Sequence, residues 1–201
     1  GSMTVTLETG STDRTVSIPS ISSATSASGT YTVVEGDLSS DLTVKSIAVS
    51  GTISDASDQA MVNFSIGSNL ASSSAIVVDG VAPTIASVKS TSTNTTYGTG
   101  ASINVTVNFS ESVTLSSGGS MTVTLETGDT NDDGTVSITS ISSATSASGT
   151  YTVRDLDASL DLDVKTIALA SGSLTDAAGN AMSSFSVPAD SNLSDFNAII
   201  I

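Results

Sequence analysis

Apolar residues recur at every second position along much of this chain. Ile103, Val105, Val107 and Phe109 alternate with Asn104, Thr106 and Asn108, the clearest such run. Met3, Val5 and Leu7 alternate in the same way with Thr4 and Thr6. A period of two is that of a strand with one face buried. The same reasoning predicts strands around Val16 and Ile18, at Tyr31 and Val33, from Leu42 through Ile47, at Ile53, at 61–66, at 75–78, and at Ile85 and Val88. Bends are expected at 10–14 and in the Ser/Ala/Gly stretch 22–29, and a polar loop at 91–100. No stretch keeps a helical period; a short turn near 158–160 is the best exception. Many short strands with turn signals about 8–12 residues apart indicate an antiparallel β-sandwich.

The pattern occurs twice. Residues 2–10 (SMTVTLETG) return unchanged at 120–128, and 21–33 (ISSATSASGTYTV) at 141–153. Shorter words follow in the same order, 41–45 with 161–165, 54–56 with 175–177, and 68–70 with 191–193, the drifting offset marking short loop insertions. A period of about 120 residues is that of one sandwich domain. The seam runs over 77–84 (VVDGVAPT), where Pro83 excludes helix and favours an extended connection. Asp79 stands in this seam, where its carboxylate could clamp two modules through a cation. Residues 80–118 have no counterpart in the first copy. The expected division is an incomplete repeat at 1–79 and a complete one at 80–201. Truncation, a window cut from a continuous polymer, and strands donated by another chain each account for the short first copy. Alternatively, 80–118 folds back onto 1–79 and leaves 119–201 incomplete; the seam favours the first order. In that order, 1–79 exposes apolar strand edges that invite pairing with another chain.

Composition narrows the chemistry. Five basic residues against twenty acidic ones give a formal net charge of −15. That balance opposes nucleic acid and anionic membrane as partners and suits cations. The absence of Cys and His removes disulfides, zinc sites and Cys- or His-based catalysis. No apolar run is long enough to span a membrane as a helix, and no leader or anchor is visible, which reads as an excerpt from something longer.

Four stretches resemble the immunoglobulin-like (cadherin-like) tandem repeats of large secreted bacterial adhesins and biofilm-associated surface proteins. They are 78–85 (VDGVAPTI), 107–113 (VNFSESV), 151–164 (YTV through DLDV) and 174–181 (LTDAAGNA). The resemblance covers 81–201 and most of 1–79. It implies an all-β fold of tandem immunoglobulin-like sandwiches, an extracellular or cell-surface location and joints stiffened by Ca2+. The first copy departs from it at 55–59, where Asp55-Ala56-Ser57-Asp58-Gln59 replaces the Gly-Asn turn.

Calcium needs six to eight hard oxygens, several of them carboxylates on loops. Glu111, Asp155, Asp157, Asp161, Asp176 and Asn180 could converge at one end of the second sandwich, with Asp79 reaching from the seam. The first-copy equivalents are Glu35, Asp37, Asp41 and Asp55. A second candidate is 129–134 (DTNDDG), where Asp129, Asn131 and Asp133 match the first half of a calcium loop. The twelfth position is Ser140 and supplies no bidentate carboxylate, so an Asp-rich hairpin turn explains this segment equally well. Lys45 and Lys165 read as surface lysines, and Tyr31 and Tyr151 as core residues.

The expected function is structural: a repeat segment of an extracellular adhesin or fibre, stiffened by Ca2+, with no catalytic role. Its partners would be neighbouring copies of the repeat or chain and a host or matrix surface, without nucleic acid or membrane insertion. A filament subunit joined by strand exchange, with 197–201 pairing between chains, is one alternative. A module binding glycan, ice or a host protein is another.

Overall fold

The computed structural model describes residues 1–128 and 133–201, and the chain divides into two units, Gly1–Val81 and Ala82–Ile201. Both are built of β-strands, and the named strands all pair antiparallel. Among the described residues no helix is long and apolar enough to cross a membrane.

The first unit holds β1 (Ser2–Glu8), β2 (Arg14–Ile18), β3 (Leu38–Ser39), β4 (Thr43–Ser50) and β5 (Val78–Asp79), with a single 3-10 turn at Leu70–Ser72. β1 lies between β2 and β4, and β3 pairs with β5. Alternation along β1 turns Met3, Val5 and Leu7 to one face, but only Leu7 is fully buried there. Its core is small: Leu7, Val16, Leu42 and Val78, flanked by Val5, Tyr31, Val44 and Leu70.

The second unit holds β6 (Ile85–Lys89), β7 (Ser102–Leu115), β8 (Ser120–Glu126), β9 (Gly134–Ile138), β10 (Ala144–Thr152), β11 (Asp163–Ser171), β12 (Leu174–Thr175) and the short helix α1 (Leu193–Phe196). Its sheet β11-β8-β9 repeats β4-β1-β2 of the first unit, with an identical central strand. The opposing sheet is built around β7. Its first half pairs with β10 and with β6, and its far end pairs with β12. Val105 and Val107 from one sheet and Met121, Val123 and Leu125 from the other are fully buried in one shared core, the arrangement of a β-sandwich.

The repeat thus folds to two different outcomes. The strand expected at Tyr31 and Val33 does not form in the first unit, whereas Tyr151 in the second copy lies near the end of β10. Residues 144–149, whose Ser/Ala/Gly composition predicts a bend, are strand. The cause is β7: a strand persists where a neighbour accepts its backbone hydrogen bonds, and only the second unit supplies one. The strands expected at 53 and 61–66 reduce to one bridge, Ser54 with Ala60, and 75–78 reduces to β5. No helical turn forms at 158–160. The helix is at Leu193–Phe196 instead, opened by a capping box between Asn192 and Asp195. The C-terminal residues are engaged inside the second unit: Ile199 is wholly buried, its carbonyl accepts from Leu162 at 2.7 Å, and Ile200 bridges Thr96.

One residue pair tests the difference between the copies. Met121→Ala should cost the second unit about 3 kcal/mol, because its side chain is wholly buried, and Met3→Ala should cost the first unit about half as much. Native-state hydrogen exchange, read separately for the strands of each unit, measures both values.

Candidate metal centre

Asp176 follows β12 directly and opens a tight turn. The turn is closed by the bridge between Thr175 and Ala181 and by the Asp176 amide donating to the Asn180 carbonyl at 3.2 Å. Gly179 takes φ +95° there, a conformation other residues rarely adopt. One carboxylate oxygen of Asp176 accepts the Gly179 and Asn180 amides at 2.7 and 2.8 Å. The other accepts Nδ2 of Asn180 at 2.7 Å. Asn180 therefore orients the carboxylate of Asp176. Burial pushes this carboxyl up, but the Asn180 side chain and the amides of Asn180, Gly179 and Ala178 outweigh it and hold the group below its usual value. The result is a buried, ionised and fixed carboxylate.

Glu111 approaches from β7, just past the point where β6 pairing ends. The Ser110 amide donates to the Thr84 carbonyl at 2.9 Å, and the Thr84 amide donates to Ser110 Oγ at 2.9 Å. Because Thr175 pairs with Thr114, antiparallel geometry carries the residue after β12 back toward Glu111. A carboxylate oxygen of Glu111 lies within 4.8 Å of one from Asp176. Two carboxylates at that separation repel unless a proton or a cation lies between them, so the pair could take part in holding a metal ion. The chemistry of the two oxygens is not specific to calcium.

In the first unit, Asp79 lies on β5 opposite Leu38 and accepts the Val81 amide at 3.1 Å. It precedes Ala82 by three residues, so covalent geometry alone keeps the two Cα atoms within about 11 Å. Asp55 opens a turn built like that of Asp176. One of its oxygens accepts the Ser57 and Gln59 amides at 2.8 and 2.9 Å, and Asp58 takes φ +60° where the second copy has Gly179. The missing Gly-Asn does not abolish this turn. What it lacks is a counterpart of Glu111, since the first unit has no β7.

Two expected ligands are occupied in another way. Asp37 and Asp157 have side chains only 1% exposed. Asp157 accepts the Tyr151 hydroxyl, the Arg154 amide at 2.6 Å and the Arg154 guanidinium at 3.1 Å. Asp37 accepts the Tyr31 hydroxyl, the Val34 amide at 3.0 Å and Nε of Arg14 at 2.6 Å. The charge that would draw a metal ion is already matched by a guanidinium in each copy. Burial, and then the hydrogen bond to Asp37, push the Tyr31 phenol up to about 12. Burial raises the Asp157 carboxyl, but its hydrogen bonds prevail and hold it below the usual aspartate value. The sequence does carry a signal for this network, an Asp six residues after Tyr in both copies. The source of the guanidinium is hidden, because it comes from β2 in one copy and from the loop after β10 in the other.

The remaining candidates do not gather. Glu35, Asp41, Asp155 and Asp161 are exposed, and none belongs to a group of three converging acids among the described residues. Asp133 accepts Nζ of Lys165 at 2.8 Å, and Glu126 pairs with the same lysine at 3.2 Å. The first copy repeats this with Asp13, Glu8 and Lys45 at 2.7 and 3.2 Å. Asp129 and Asn131 lie outside the described residues. The sequence-equivalent Asn69 and Asn192 each bridge a strand backbone: their Nδ2 groups donate to the Val44 and Val164 carbonyls at 2.9 Å. This explains why the Ser-Asn-Leu word recurs.

The chain matches no family model, no curated protein and no solved structure.

Asp157→Ala should destabilise the second unit by about 3 kcal/mol, because it strands a buried phenol and removes charged hydrogen bonds. The Asp157 carboxyl is held below its unfolded value. Its stabilisation is therefore complete above about pH 4 and fades as the pH falls through the folded-state value. Urea titrations from pH 6 to pH 2 should show a smaller acid-dependent loss in the variant than in the parent chain.

Proposed function

We propose that this chain is a structural repeat segment of a bacterial extracellular adhesin or fibre, with Ca2+ bound at its acidic joint. The observation that carries this reading is the fixed carboxylate of Asp176 within 4.8 Å of Glu111. Three further features support it: tandem all-β units, a net charge of −15, and an aspartate in the stretch that joins them. The cation would be held by Glu111 and Asp176, with backbone carbonyls and water completing the oxygen set. Asn180 would hold Asp176 in place. In the absence of the ion the carboxylates repel and the joint flexes. With the ion bound, their charge is matched and the Asp176 turn is tied to β7. Such a segment acts as a spacer, and the immunoglobulin-like resemblance of 107–113 and 174–181 supports the same assignment. Its partners would be neighbouring repeats and, at the far end of a longer assembly, a host or matrix surface.

Calorimetric titration with CaCl2 tests the reading. The parent chain should bind, Glu111→Gln and Asp176→Asn should each weaken binding at least roughly tenfold, and Asp155→Asn should leave it unchanged. Chelation should lower the melting temperature of the parent and broaden its scattering profile. Absence of calcium binding at millimolar concentration would remove the basis of the proposal.

A further inference from the structure

Residues 21–33 and 141–153 have one sequence and two environments. In the second unit this sequence supplies β10, which pairs with β7: Tyr151 opposite Ile103, Gly149 opposite Val105, Ala147 opposite Val107. In the first unit residues 24–32 pair with nothing among the described residues, yet they lie over the facing sheet just as β10 does. A Cβ on Gly29 would come within 2.4 Å of Val16 Cγ1, and one on Gly149 within 2.2 Å of Val136 Cγ1. The equivalent isoleucines, Ile18 and Ile138, stand 3.4 Å away in both copies. Tyr31 is anchored on Asp37 as Tyr151 is on Asp157. The segment is thus held at its middle and near its end, with its outer backbone edge unspent.

The apolar residues nearby tell the same story. Val33 is 44% exposed and Val153 3%; Met61 is 49% exposed and Met182 6%. Met3 and Val5 are half-buried, whereas Met121 and Val123 are wholly buried. The interface this face would form is therefore already present in the second unit, against an identical sequence.

We propose that the first unit is an acceptor for a β6–β7-type segment of a further repeat, which pairs antiparallel with residues 24–32. The occupant is an extended chain of the pattern in Ser102–Leu115, apolar at alternate positions with Asn and Thr between them. Its register is fixed by the second unit: the residue equivalent to Ile103 faces Tyr31, that of Val105 faces Gly29, and that of Val107 faces Ala27. A second copy of this chain as folded is not the donor, because its own β7 is paired along both edges. The proposal stands independently of any bound cation.

A synthetic peptide of residues 82–118, added to the full chain, tests it. Amide exchange at 26–32 should slow at least roughly tenfold, and the unfolding transition of the first unit should rise. A peptide carrying Val105→Asn and Val107→Asn should bind roughly a hundredfold more weakly, since it places two polar groups in the core. A second readout fixes the register. In the second unit Thr106 Oγ1 and Ser148 Oγ lie 2.8 Å apart, and the chain has no cysteine of its own. Ser28→Cys in the chain should therefore form a disulfide with a Thr106→Cys peptide and not with a Ser102→Cys peptide. Unchanged exchange at 26–32, equal crosslinking in both registers, or self-association of the chain alone that protects 26–32 would each overturn the proposal.

Discussion

The second unit depends on the pairing of one long strand. β7 spans 14 residues and is hydrogen-bonded along both edges, to β6 and β10 over its first half and to β12 at its end. A central strand satisfies its own backbone and that of each neighbour, so its presence decides whether adjacent segments are strand at all. The same strand sends Ile103, Val105, Val107, Phe109, Val113 and Leu115 into the core. Sheet closure and apolar burial are therefore two consequences of one element.

The first unit shows what remains without it. The sheet β2-β1-β4 forms, because its three strands are mutually sufficient and their register does not involve β7. The Tyr31–Asp37 contact forms, because it is local in sequence and its guanidinium comes from β2. The opposing sheet does not form, and thirteen residues identical to a strand-forming stretch stay unpaired. Intrinsic propensity cannot explain that difference, since the residues are the same; only the tertiary partner differs. The four-residue buried core of this unit follows directly.

This contrast also explains which features were legible in the sequence. The alternation in Ile103 to Phe109 and in Met3 to Leu7 reports burial on one face, and the strands are where that period places them. The all-β class and the repeat follow from the same pattern. The bend expected from Ser, Ala and Gly holds at 22–29 but not at 144–149 of the identical stretch, because such residues carry little periodic signal and the partner strand decides. Gly149 is needed to pass over Val136, a constraint between sheets that no local pattern encodes. At the candidate site, Glu111, Asp176 and Asn180 could be named from the sequence; Asp176 and Asn180 belong to one turn, whereas Glu111 lies within β7, past its pairing with β6. Asp37 and Asp157 look the same in sequence, but their carboxylates are matched by Arg14 and Arg154, which reach them from different elements. Charge alone does not separate an acid waiting for a cation from an acid that already has one.

The two arginines bear on how such a repeat tolerates change. The position of Arg14 is held in the second copy by Gly134, and that of Arg154 is held in the first by Val34. A side chain on Gly134 would meet the Tyr151 ring at 2.5 Å, so the guanidinium there arrives from the loop instead. What persists is the ionised Asp beneath a tyrosine, because an uncompensated buried carboxylate is costly whichever direction the partner comes from. The carboxylates of Asp55 and Asp176 follow the opposite logic. Each is fixed by its own turn, but the Glu111 carboxylate beside Asp176 rides on β7, a strand that the first unit lacks. The strand that completes the sandwich also brings the second acid to its pole. A repeat that lacks it loses its second sheet and its carboxylate pair together.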